Sequence, residues 1–337
     1  MSLWSRSAKL LLSCACLAVP TQALADDTPL TVGGFVDGQL QASSEADMQH
    51  GFLVNDGAIY VSKSAGGASF LVDLPLRLAQ SALPDVAVGT LKAQAYVAYQ
   101  YKNGFRWKLG QFDTSYGLES NDSVAVAFTR QGNIYNFTDP FVHTGLQLGY
   151  DVNSRVGINL LVGSPADTGT LGPNKRLQSG LQVAVTGDTR FAVGGLVTAY
   201  PGLDDFGLYA DITAGITSGK LAVDIEANWQ KRPLDTTPTG KKVDDGIGAL
   251  LQAIYSATDK ISAGIRAEYI TNISRRDPRA PVLSGYIKSQ VLVFVGPQYR
   301  ITPDLQLKAD YSLQMDDNYV GGSDTIHGAQ AAAVYRF

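Results

Sequence analysis

From about residue 30 to the end of the chain, apolar and polar residues alternate one by one, and this period of two constrains the fold more than any other feature. In residues 91–102 one face reads Leu91, Ala93, Ala95, Val97, Tyr99, Tyr101, and the other Lys92, Gln94, Tyr96, Ala98, Gln100, Lys102. Residues 221–230 set Leu221, Val223, Ile225, Ala227 and Trp229 against Ala222, Asp224, Glu226, Asn228 and Gln230. Successive side chains of a strand point to opposite faces, so each stretch reads as a strand with one apolar and one charged face. The apolar faces often end in Tyr or Trp, as strands do that meet lipid on one side and water on the other.

A soluble sandwich would alternate too, so the connectors decide. Sixteen strands are expected, at 30–42, 51–62, 67–78, 90–102, 104–112, 142–152, 155–164, 177–187, 189–199, 206–217, 219–230, 246–256, 260–272, 286–301, 304–315 and 326–337. Merging or splitting strands within 155–199 would make the count fourteen or eighteen. The connectors are long at 43–50, 79–89, 113–141, 165–176, 200–205, 231–245, 273–285 and 316–325. Those between are short and carry the Gly, Asn, Asp and Pro of tight turns. Strict segregation of this kind belongs to an up-and-down antiparallel transmembrane β-barrel, with loops outside and turns in the periplasm. Sixteen strands leave a water-filled channel rather than a packed core. After residue 25 no apolar run approaches the roughly 20 residues a spanning helix needs. A closed barrel is the other way to satisfy backbone polar groups in lipid.

The first 25 residues read as a signal peptide. Arg6 and Lys9 precede an apolar stretch at 10–19, and Ala23-Leu24-Ala25 gives a small-x-small cleavage site. Residues 26–337 then form the barrel, in the outer membrane of a Gram-negative bacterium. Cys14 and Cys16 both leave with the signal, so no thiol chemistry remains. Without Arg6 and Lys9, 25 basic residues face 31 acidic ones, a net charge of −6 that argues against nucleic acid. His50, His143 and His327 show no ligand spacing, so no metal or cofactor is expected.

The longest connector is the candidate site. Residues 113–141 carry Asp113, Glu119, Asp122 and Asp139 against Arg130, a net of −3. Folded inward, they would form a constriction, their acids facing the bases Lys92, Lys102, Arg106 and Lys108 on the preceding strands. Asp224, Glu226, Arg266, Glu268, Lys308 and Asp310 alternate with apolar residues and are expected along the lumen wall. The acidic balance points to a mild preference for cations. His143, beside Thr144 and Gly145, is expected to anchor the loop by hydrogen bonding. At the C-terminus Ala331, Ala333, Tyr335 and Phe337 share one face. Tyr335 and the final Phe337 are similar to the signal read by the barrel assembly machinery.

A family resemblance rests on Gln111-Phe112-Asp113-Thr114, Gly117-Leu118-Glu119, Asp139-Pro140-Phe141-Val142-His143-Thr144-Gly145 and Tyr150. This resembles the OmpL-like β-barrel porins of Gram-negative bacteria, which show a similar Phe-x-Thr-Pro-x-Gly-x-Glu segment followed by Pro-Phe-x-His-Thr-Gly. Ser115 stands where that pattern has Pro. The resemblance implies a porin, a channel for passive diffusion of small polar solutes or ions, and not an enzyme. Other readings are an outer-membrane barrel enzyme and a non-conducting surface-binding or structural barrel. An enzyme would need a nucleophile and base in register, and His143 has no obvious partner. Expected partners are outer-membrane lipid, lipopolysaccharide (which the basic run at 275–279 could touch), the assembly machinery and the solute. Trimer against monomer stays open, with a homotrimer compatible.

Overall fold

A computed structural model describes residues 29–44, 51–78, 86–88, 93–165, 176–199, 206–231, 245–274, 286–318 and 322–337. The expected signal peptide, Lys92, His50 and the basic run at 275–279 lie outside these residues. The strands are β1 (Thr31–Ser43), β2 (Gly51–Ala65), β3 (Ala68–Leu78), β4 (Val86–Val88), β5 (Gln94–Gln100), β6 (Phe105–Asp113), β7 (Val142–Asp151) and β8 (Val156–Pro165). They continue with β9 (Leu177–Val185), β10 (Thr189–Ala199), β11 (Phe206–Ser218), β12 (Leu221–Lys231), β13 (Gly246–Ser256), β14 (Ile261–Ser274), β15 (Tyr286–Arg300), β16 (Leu305–Asn318) and β17 (Ser323–Arg336).

Each long strand pairs antiparallel with its neighbours in sequence, and β1 pairs with both β2 and β17, closing the ring. The short β4 pairs with β3 and stands apart from the ring of sixteen, β3 pairing directly with β5. A closed ring leaves no unpaired edge, the condition for crossing lipid with strands. Among the described residues no helix is long and apolar enough to cross a membrane. The chain end completes the closure: the Phe337 N–H donates to the Gly34 carbonyl, and the Gly34 N–H to the Phe337 carbonyl, both at 3.0 Å.

The polarity of the ring is inverted relative to a soluble protein. Leu221 and Ile225 of β12 are 44% and 50% exposed, while Glu226 and Asn228 on the other face are 3% and 4%. The apolar face looks outward and the charged face inward. Turn chemistry follows the expectation at Gly66-Gly67, both at positive φ (57° and 90°), in the two-residue link of β2 to β3. The expected final long connector, 316–325, is much shorter than foreseen, because β16 and β17 extend into it and leave 319–322. In β2 an extra residue breaks the register beside Asp37 and Gly38. This bulge re-aims the strand and sets the Asn55 amide 3.0 Å from Asp37 Oδ2.

Candidate functional site

Between β6 and β7 the chain turns back into the ring. Thr114 N–H donates to the Phe141 carbonyl at 3.0 Å, drawing the neck of the loop together. Inside, 114–141 form a 3₁₀ turn (Ser123–Ala125) and one short helix, α1 (Asn133–Phe137).

Four apolar contacts hold this segment against inward-facing wall residues. Tyr116 packs with Phe112, Leu161, Leu196 and Tyr209, and Ile134 with Leu250, Ile270 and Ile287. Phe128 meets Leu292 and Phe294, its ring stacked on Phe294 with centroids 5.4 Å apart. Val124 rests on the patch of Phe35, Ala58, Ala332 and Val334. Each such side chain is worth roughly 1.5–3 kcal/mol when taken fully out of water. The contacts reach strands on opposite sides of the ring, so the segment lies across the lumen.

Backbone N–H groups taken from water must find acceptors, and here the wall supplies them. Asp211 Oδ2 accepts from Gly117 N–H at 3.1 Å, and Glu226 Oε2 from Leu118 N–H at 2.9 Å. Asp56 Oδ2 accepts from Ser123 N–H at 3.2 Å, and Asp310 Oδ2 from Thr129 N–H at 2.7 Å. The first turn of α1 has no side-chain cap of its own. Glu268 Oε2 caps it from β14, accepting from Asn133 N–H at 2.7 Å and Ile134 N–H at 3.1 Å. A carboxylate at a helix N-terminus satisfies orphan donors and meets the positive end of the helix dipole. Lys308 does the converse, donating to the carbonyls of Ser123 at 2.9 Å and Val126 at 2.5 Å.

The strongest single tie is ionic. Arg266, fully buried on β14, donates to Glu119 Oε1 at 2.5 Å and Oε2 at 2.6 Å, and pairs with Glu268 beside it. Arg130 lies over the Phe294 ring, 5.1 Å from its centroid. At the far end, Asp139 Oδ1 accepts from Tyr209 Oη and Asn228 Nδ2, each at 2.9 Å. Burial, and then the Asp211 carboxylate, push the Asp139 acid up to about 7.

The sequence from 29 to 336 matches the family described as "Putative beta-barrel porin-2, OmpL-like". The chain belongs to the OmpL-like porins. No curated protein matches it. Among solved structures, this OmpL-like porin is similar to the outer-membrane channel DcaP of Acinetobacter baumannii (TM-score 0.66, 11% identity, 92% of this chain and 97% of that one). It is similar also to OmpF of Salmonella typhi, solved with daunomycin (0.65, 12%, 93% and 99%). A third is OmpT of Vibrio cholerae in its trimer form (0.62, 14%, 93% and 100%). At these identities the likeness is one of fold, an outer-membrane barrel.

The porin places the sequence-expected residues as follows. Asp113 ends β6, and Asp122 accepts from Tyr60 Oη at 2.8 Å. Arg106, Lys108, Asp224, Glu226, Arg266, Glu268, Lys308 and Asp310 are in strands with their side chains inward. Lys102 is not on a strand; β5 ends at Gln100 and Lys102 sits exposed in the turn. The expected facing of loop acids and preceding-strand bases is not what forms. Arg106 pairs with Asp151 on the next strand, and Lys108 lies over the Tyr96 and Phe112 rings at 4.5 and 5.2 Å. The base that meets Glu119 comes instead from β14, and four of these wall charges, Glu226, Glu268, Lys308 and Asp310, serve the loop backbone rather than open water. His143 is buried; Nδ1 lies 2.8 Å from Gln178 Oε1 and Nε2 3.1 Å from Thr114 Oγ1 at the loop neck. Tyr335 and Phe337 are exposed on the outer face, rings stacked 6.5 Å apart.

Sequence reasoning missed Asp56, Asp211, Tyr60, Tyr116, Tyr209 and Asn228 as holders of the loop. It also missed the inward apolar residues Leu161, Leu196, Leu250, Ile270, Leu292 and Phe294. Their signal was present as breaks in the inward polar pattern, such as Leu292 and Phe294 between Gln290 and Gln298.

Proposed function

We propose that this OmpL-like porin is a narrow outer-membrane channel for passive diffusion of small polar solutes or ions, with residues 114–141 as its constriction. The observation that carries this reading is the Glu119–Arg266 pair, which ties the loop to the wall strand β14. A segment bound across the lumen removes cross-section from the aqueous path and sets charge where solutes pass. Glu119, Asp122, Arg130 and Asp139 are its charged members, Asp113 stands at its entry, and His143 holds its neck. The protein works without catalysis: its buried histidine is engaged by an amide and by the loop neck, an anchoring arrangement. Residues 1–25 direct export and are removed, and Tyr335 and Phe337 are read by the assembly machinery. The trimer form of V. cholerae OmpT supports a homotrimer here as well.

The test is excision of residues 123–135, followed by planar-bilayer recording of refolded native and shortened protein. Loops that leave the barrel hydrogen bonds untouched tolerate such cuts. Stepwise conductance should be present in both and larger in the shortened channel. Equal conductance from two folded proteins would dismiss the constriction, and a silent native protein would dismiss the channel.

A further inference from the structure

Beneath the loop, on the turn side of the barrel, a cavity of about 320 Å³ is lined by Gln252, Gln298, Arg300, Gln306 and Arg336 and roofed by Val124–Ala127 of the loop among others. Its one carboxylate and several of its carbonyls are already engaged. The Val124 carbonyl accepts from Arg336 Nη2 at 3.1 Å, and the Val126 carbonyl from Lys308. Gln298 donates to the Ala127 carbonyl, and its own Oε1 accepts from Gln306 Nε2 at 2.7 Å. Glu119 also borders the cavity, but its two oxygens are held by Arg266 and by Gly132 N–H at 2.7 Å.

The donors are in surplus. Arg300 and Arg336 are both exposed, and neither makes an ion pair among the described residues. Elsewhere on this side of the lumen, Arg106 is matched by Asp151, and Arg190 by Asp224 at 2.6 Å. Across strand β16 the two guanidinium groups without an ion pair flank Gln306, which pairs in register with Arg300 on one side and with Val334, two residues before Arg336, on the other. A recess with two forked cations and side-chain amides, its one bordering carboxylate already held by Arg266, suits a planar or tetrahedral oxyanion.

We propose that this cavity is an anion-binding vestibule for small carboxylate- or phosphate-bearing solutes, held by Arg300 and Arg336, and that it gives the channel a preference for anions. This rests on the diffusion-channel reading and names its solute class. It replaces the mild cation preference expected from net charge: the acids behind that expectation are bound up in the loop, and charges farther than about 8–10 Å from the path are screened at physiological salt.

The test uses the refolded full barrel in planar bilayers under a potassium chloride gradient, with native protein, Arg300→Gln/Arg336→Gln and Arg300→Lys/Arg336→Lys. Potassium acetate and potassium phosphate are added in separate runs as probes of the two oxyanion types. The native reversal potential should show chloride favoured over potassium. The double glutamine variant should lose about threefold or more of that permeability ratio, as expected for charges at a selectivity site. At least one probe should reduce the chloride current of the native channel, with weaker block in both variants; the probe acting at lower concentration identifies the class. The lysine variant should keep chloride selectivity, since charge is retained and only the fork is lost. Gel heat-modifiability establishes folding of each variant. A conducting native channel that favours potassium, or selectivity unchanged in the glutamine variant, would overturn the vestibule and leave the porin reading standing. A folded but silent native protein would overturn both.

Discussion

Glu119 and Arg266, separated by 147 residues, meet through two hydrogen bonds of 2.5 and 2.6 Å inside the barrel. Removing one member of a buried pair leaves its partner uncompensated, at a cost of about 3–5 kcal/mol. Arg266→Gln should be the more damaging change, because Glu119 and Glu268 then face each other without their shared cation. The expected result is a loop cut by protease at concentrations that spare the native protein, and a larger unit conductance. Glu119→Gln should be milder, since Glu268 still neutralises Arg266. A fully protected Arg266→Gln loop would mean the apolar contacts suffice.

Gly132 carries a second prediction. Its φ of −79° suits any residue, so glycine is required by space alone. A Cβ there would collide with the Glu268 carboxylate and the Arg266 guanidinium. Gly132→Ala should destabilise the docked loop by about 1–3 kcal/mol, the usual range for overpacking. Gly38→Ala, where a Cβ meets nothing within 4 Å, is the matched control. Protease sensitivity of the two variants should differ; if both behave as native, the packing argument fails.

The Asp139 acid gives the loop a pH dependence. Its affinity for a proton is raised from 3.8 to about 7, by burial first and by Asp211 second, with Glu226, Tyr209 and Glu119 also facing it. The docked loop therefore keeps a proton that a released loop gives up. Its contribution to docking is complete below the released value near 4 and is lost as pH rises through about 7. Conductance and loop proteolysis should both increase between about pH 6 and 8. Asp139→Asn should flatten that rise; an unaltered pH profile in the variant would assign the titration elsewhere.

The chain end yields a prediction about assembly. Phe337 exchanges two backbone hydrogen bonds with Gly34, and a Cβ on Gly34 would lie 2.7 Å from the Phe337 ring. Deleting Phe337 removes the last rung of the ladder between the last strand and the first. Less heat-modifiable barrel should then reach the outer membrane of an expressing cell. Native amounts of folded protein from the deletion would rule out a role for this residue in insertion or closure.

How much of this could be read in advance differs between wall and loop. The alternation of Leu221, Val223 and Ile225 with Asp224 and Glu226 determined which side chains face lipid, because a strand offers only two faces. Short turns such as Gly66-Gly67 determined which strands are neighbours, and with them the closed ring of sixteen. The length of 114–141 marked it as the exceptional connector, and His143 could be suspected as an anchor. The loop's partners could not be read in the same way. It has no repeating period, so its sequence carries no register, and its contacts follow from how deeply it enters a ring that exists only once β1 meets β17. That is why Glu119 meets Arg266 on β14 rather than the bases on the strands just before it, and why Asp211, Glu226 and Asp310 serve backbone N–H groups instead of water. The sequence by itself determined the barrel, the facing of its strands and its unusual loop. Only the tertiary structure decided which charges are spent on holding that loop and which, at Arg300 and Arg336, stay without an ion pair, because that division depends on distances across a lumen that no local pattern encodes.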